Sequence, residues 1–214
     1  MNSANLKRKA ASIALLKERG VSTIDHLPPL DPDEDLELHT PEEVFRRMRA
    51  NFVYFMRGQF AMENAPLAEF RKSLDKLQAW DDLSPAERAV VESAKLTQQQ
   101  IVETSWAVEA VHALQWAVNL TSDLEWPVQA CNLEQVFVLI KGTKSPEGLE
   151  LRALSELLEQ MDLHYRLLWA CRESMLKGKE PPADVNASVV LERMRALGWL
   201  VHRGIGWDEA DLSS

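Results

Sequence analysis

The chain has 214 residues, with 33 acidic against 24 basic side chains, a net charge of −9 and two cysteines. That length buries a core without disulfide or metal support, and two thiols are too few for a disulfide framework. The acidic balance excludes a duplex nucleic-acid binder, which needs a basic face to displace counterions, and no apolar run reaches the length of a membrane span.

Lys7, Arg8 and Lys9 precede the apolar stretch AASIALL, but Lys17, Glu18 and Arg19 end it too soon for a secretory signal. The expectation is a first helix over 4–19, stopped by Gly20; a basic organelle-targeting segment is the alternative. Residues 21–39 carry Pro28-Pro29 and an Asp-Pro step, so they form an irregular connection, packed on the domain through Ile24, Leu27 and Leu30. Thr40-Pro41-Glu42-Glu43 is a helix start: a capping hydroxyl, proline at the first helical position, then carboxylates at the positive end of the dipole. That helix should reach about Phe60. Pro66 opens another that ends near Trp80, and Ser84-Pro85-Ala86-Glu87 repeats the start signal.

The stretch 98–120 organises the chain. From Trp106 to Leu120, 11 of 15 residues are apolar. At helical spacing Val102, Trp106, Ala110, Ala113, Ala117 and Leu120 share one side with Val111, Leu114 and Val118 beside them. An arc this wide belongs to a central helix packed by neighbours on more than one side, with Trp106 in the core. The remaining arc holds Ser105, His112, Gln115 and Asn119, and Glu109 stands at its border, where a carboxylate is turned to water or held by a cation.

Asn132 caps a segment whose VFVLI is compatible with helix or short strand; helix is the expectation. The longest helix is expected over 146–177, with an apolar stripe broken only by Arg172. The last helix, over 186–203, buries Val190, Met194, Leu197 and Val201. Trp199 points the other way, so a second cover is required, and the acidic tail 204–214 with Trp207 is the nearest one. Seven or eight helices and no firm strand predict an all-α fold, a single domain built around the central helix.

The segments RKAASIALLKERGV, HLPPLDP, PEEVFRRM, SWAVEAVHALQWAV, MDLHYRLLWACRES, VVLERMRALGWL and WDEAD, in that order, resemble a bacterial domain-of-unknown-function family, number 4272, over essentially the whole chain. The resemblance implies a single cytoplasmic domain and carries no activity with it. Relatives tend to have His and Asn in the last helix where this chain has Met194 and Gly198.

Three constellations could carry chemistry. Glu109 and His112 lie one turn apart, the spacing that di-metal helical bundles use twice; here it occurs once, so the default is a hydrogen-bonded histidine and no metal or other cofactor. On the long helix, Asp162 and Arg166 are spaced for a salt bridge, as are Arg166 and Glu173 two turns apart, the plain expectation being a solvated flank beside Trp169. Arg172 needs acceptors, with Glu109 the first candidate and an anionic ligand the alternative. Trp116, Trp169 and Trp199 lie at stripe edges and could line a groove between the central, long and final helices.

No phosphate loop, nucleophile elbow, CxxC or HExxH is present. The chain is therefore expected to be a binding or interaction module for a protein or peptide partner. The competing expectation is a small-molecule site or enzyme, with Arg172 anchoring a small anionic ligand. A lone Glu109/His112 metal site is the third.

Overall fold

The computed structural model describes residues 3–210, so the last four residues of the acidic tail lie outside the described part. Among the described residues there are eight α-helices and no strand: α1 (Ser3–Glu18), α2 (Pro41–Met62), α3 (Leu67–Leu77), α4 (Pro85–Glu92), α5 (Gln98–Ala117), α6 (Leu133–Gly142), α7 (Leu154–Leu176) and α8 (Ala187–Val201). None is long and apolar enough to cross a membrane. The fold is all-α.

Local chemistry sets most of the helix starts. Thr40, Ser84 and Thr97 each form a reciprocal capping box with the residue three positions on, and Asn132 and Asn186 cap α6 and α8. VFVLI is helix. Three ends differ from expectation. α3 stops at Leu77 because Gln78 turns left-handed, and α5 stops at Ala117 with left-handed Asn119 two residues beyond.

The largest difference is α7, which begins at Leu154 and not at 146. Gly148 has a φ of +78°, which no helix accepts, and the following segment is tied to the end of α5. The Arg152 amide donates to the Ala117 carbonyl (2.9 Å), and its guanidinium donates to the carbonyls of Trp116 (2.7 Å) and Thr121 (2.8 Å). The first of these bonds satisfies a carbonyl that the end of α5 leaves open, and the other two hold the segment against the turn that follows it.

α5 is the axis of the molecule. Every residue from Ala107 to Val118 is buried, polar His112 and Gln115 included, so the middle of the polar arc is not a solvent face, while Ser105 is half-buried and Asn119 exposed. α2 packs on it closely where Gly58 meets Thr104, α8 packs against another side, and α7 joins α8 to α1. Trp106 is only half-buried, whereas Trp116, one helix face removed, is 5% exposed. A smaller apolar cluster of Ala50, Val53, Phe70, Leu74 and Leu83 joins α2 to α3 and the start of α4. Both cysteines are buried and unpaired.

The irregular connection 21–39 is strapped to the end of α8. The His39 amide donates to Leu200 (2.9 Å), the Arg203 amide donates to Glu37 (2.7 Å), and Glu37 and His202 form an isolated parallel bridge. After α8 the chain makes a short 3-10 turn at Trp207–Glu209. Asp208 accepts from the Ser84 hydroxyl (2.6 Å) and the Ala86 amide (3.0 Å), which pins the tail to the start of α4.

Candidate functional site

Glu109 is fully buried and bound on both oxygens: Oε2 accepts from Arg193 Nε at 3.0 Å and Oε1 from the Cys131 amide at 2.6 Å. Its cation is thus Arg193 of α8 and not Arg172. Arg193 lies three residues after Val190 and four before Leu197, on the apolar face itself, where a guanidinium must find such a partner. It also donates to the Glu125 carbonyl at 2.6 Å.

His112 is 3% exposed, its Nε2 3.3 Å from the Glu125 carboxylate. Burial, reinforced by Arg193, lowers its pKa against the pull of Glu109 and Glu125, which favours the neutral imidazole. With Glu109 held by Arg193, the pair does not converge on a metal, and among the described residues no group of three or more His, Cys, Asp or Glu could hold one.

Asp162 and Arg166 do pair, through two 2.8 Å bonds, but they are buried rather than solvated, at 1% and 2% side-chain exposure. Arg166 also donates to the Pro28 carbonyl at 3.2 Å, so this flank of α7 is roofed by the irregular connection. Glu173 pairs with Lys177. Trp116 lies under the Arg152 guanidinium at 4.8 Å, and Trp169 and Arg172 are half-buried on α7.

Trp199 has the most developed surroundings of the eight singled-out residues. Its ring stacks on His39 with centroids 3.7 Å apart and planes within 16°, and meets Trp207 edge-on at 5.8 Å. The tail therefore supplies the second cover for α8. Arg47 lies over the other ring, 4.6 Å from the Trp207 centroid, and is clamped by both Glu87 oxygens at 2.6 and 2.7 Å.

Trp199 is also the shared wall of two cavities. One, of about 450 Å³, is charged: its lining includes His39, Glu43, Arg46, Asp82 and Asp208. The other, of about 380 Å³, lies under the irregular connection and is mainly apolar, lined by Pro28, Leu36, Met161, Tyr165, Met194 and Ile205 among others. Among the described residues, Trp199 is the one sequence candidate that lines either.

A family model for a domain of unknown function (DUF4272) matches residues 8–210. The chain belongs to the DUF4272 family. No curated protein and no solved structure matches it. In this DUF4272 chain the matched span contains every residue that lines the two cavities.

The electrostatics of the charged cavity follow from its partners. Burial lowers the His39 pKa despite Glu43, whose Oε2 is 3.3 Å from Nδ1, so the ring stacked on Trp199 is held neutral. Burial would raise the Glu43 carboxyl, but the Thr40 amide and the Arg203 guanidinium outweigh it and hold it below the usual range. Asp82 is pushed up, burial outweighing Arg46 and Arg47. Arg47 is neutralised by Glu87, Glu43 by Arg203 and Arg46 by Glu42, which leaves Asp82, Asp208 and Glu209 as the acidic excess on the lining.

Sequence reasoning missed His39 and Asp82, because no local pattern brings residues 39, 82 and 199 together. The one available signal was the need of Trp199 for a cover, which pointed at the tail.

Proposed function

We propose that this domain is a binding module for a peptide segment of a partner protein, and that the segment carries a basic side chain next to an apolar one. The observation that supports this reading is Trp199 as the common wall of a charged cavity and an apolar one. An occupant spanning that wall needs chemistry of both kinds. Acidic groups outnumber cations in the charged cavity, so the polar end of the occupant is a Lys or Arg. Met161, Tyr165 and Met194 offer the adaptable apolar surface that receives a Leu- or Met-like side chain.

The net charge of −9 favours the same partner by steering basic chains toward the surface. Two unpaired buried thiols support a reducing compartment, the cytoplasm, as the place of action.

Isothermal titration with short acetylated peptides that combine Arg or Lys with Leu or Met at varied spacing tests the proposal. Basic-apolar peptides should bind, more weakly as salt rises, and Asp82→Asn and Ile205→Ser should each weaken them while leaving stability within about 1 kcal/mol of the parent. Equal binding of acidic and basic peptides, or unchanged binding in both variants, would overturn it.

A further inference from the structure

Beside the two Trp199 cavities, one polar side chain of α2 on the wall of a third cavity lacks a hydrogen-bond partner among the described residues. Asn51 is 1% exposed, and both its Nδ2 and its Oδ1 are buried without a hydrogen bond. Buried amides are normally satisfied, and an apolar residue at this helix position would remove the penalty altogether. The side chain faces a cavity of about 260 Å³ that also receives Tyr54, Glu192, Arg195 and Trp207. This is below the range of about 300–1,000 Å³ usual for drug-sized ligands, so the cavity admits only a small molecule.

The polar groups on its walls divide into occupied and available ones. Glu87 is held by Arg47 and the Ser84 amide, and Asp208 by Ser84 and the Ala86 amide. Glu192, 6% exposed, has among the described residues only long contacts to Arg195 Nη1, at 3.4 Å from Oε1 and 3.5 Å from Oε2, and Arg195 stands at the rim with 31% of its side chain exposed. Burial pushes the Glu192 carboxyl up with Arg195 opposing, the situation of a carboxylate that a further cation would relieve.

One carboxylate, one guanidinium and an amide offering one donor and one acceptor are complementary to a small zwitterion. We propose that this cavity binds a free α-amino acid. Glu192 and Asn51 Oδ1 accept from its ammonium, Arg195 and Asn51 Nδ2 donate to its carboxylate, and its side chain lies against Tyr54 and Trp207. The site adjoins the peptide site: Trp207 and Asp208 also line the charged cavity and Ala210 the apolar one, whereas Asn51, Glu192 and Arg195 line this cavity and neither of the other two.

The test is calorimetric titration of the full chain with each common L-amino acid, then with the N-acetyl and carboxamide forms of the best binder. A subset of amino acids should bind, and each blocked form should lose about tenfold or more in affinity. Asn51→Leu should lose a similar factor. Arg195→Gln, which keeps a donor beside Glu192 at the rim, should bind the amino acid and its carboxamide equally, and if neither variant folds the loss of affinity in the blocked forms on the unaltered chain decides. Ile205→Ser should leave amino-acid binding intact, which separates failure here from failure of the peptide site.

The proposal is overturned if no amino acid binds at millimolar concentration, or if a simple amine without a carboxylate binds as well. It is equally overturned if Asn51→Leu is stable and binds unchanged, which would make Asn51 a solvent-binding position only.

Discussion

Replacing Arg193 by Met should be among the most damaging single changes in this protein. Arg193 and Glu109 are 1% and 0% exposed in their side chains and share a 3.0 Å bond. Removing the guanidinium leaves a carboxylate with no route to water and no cation, held by the Cys131 amide at 2.6 Å and the Cys131 thiol. It also removes the donor to the Glu125 carbonyl. Breaking one side of a buried pair destabilises by about 3–5 kcal/mol, which for a domain of this size corresponds to roughly 6–20 °C in Tm. Glu109→Met/Arg193→Met relieves the stranded charge. It should lose only about 1–3 kcal/mol, for the two backbone groups left without partners. Urea unfolding at pH 7 of the wild type, both single variants and the double variant measures this, with a coupling of at least about 2 kcal/mol expected. If Arg193→Met falls within about 1 kcal/mol of wild type at unchanged m-value, the pair is solvated and the reasoning fails.

Three further outcomes follow from single sites. His164 is held neutral by burial, aided by Arg193, with its pKa brought down to about 3. The unfolded chain therefore takes up a proton that the folded one refuses. Stability is fully present above the ordinary value of 6.5 and is lost as pH falls toward 3, at up to about 1.4 kcal/mol per pH unit; His164→Met should flatten urea-measured stability between pH 6 and 4 by that slope, and equal slopes would contradict it. Gly58→Ala would drive a methyl into the Thr104 side chain, whose Cβ lies only 2.8 Å from where the methyl carbon would sit. The overlap should outweigh the gain in helix propensity and destabilise by about 1–3 kcal/mol in thermal unfolding, and a variant as stable as wild type would disprove the close approach of α2 and α5. Asp208→Ala removes the two bonds that pin the tail and should cost about 1 kcal/mol, with faster amide exchange at 205–209; unchanged exchange would show that the tail is held by other contacts.

What was legible in the sequence was mainly local. Capping residues at Thr40, Ser84, Asn132 and Asn186 act within one turn, so they mark helix starts wherever the helix ends up. The wide apolar arc of α5 likewise identified the axis of the fold before any neighbour was known. The start of α7 was not legible, because residues 146–153 suit a helix in composition and are held out of it by Gly148 and by the bonds from Arg152 to α5. Trp106 and Trp116 could not be ranked by periodicity, since burial along α5 depends on what covers each end.

For the sites, chemistry was legible and partners were not. The spacing of Asp162 and Arg166 gave their pairing, but their burial depends on Pro28, 138 positions away from Arg166. Arg193 stood in plain view on the apolar stripe of α8, and Glu109 was recognised as needing a cation, yet only the packing of α5 on α8 joins them. Trp199 was identified by the same logic of an apolar side chain that needs a cover. Its stacking on His39 and its place between two cavities depend on the return of residues 21–39 to the end of α8.

The seven tryptophans serve as separate reporters of where a peptide binds. With their indole N–H resonances assigned, the chain is titrated with the best basic-apolar peptide. Binding across Trp199 should shift the Trp199 and Trp207 signals together and leave those of Trp116 and Trp169 in place. Shifts centred on Trp116 or Trp169 with Trp199 unmoved would place the binding surface elsewhere and contradict it.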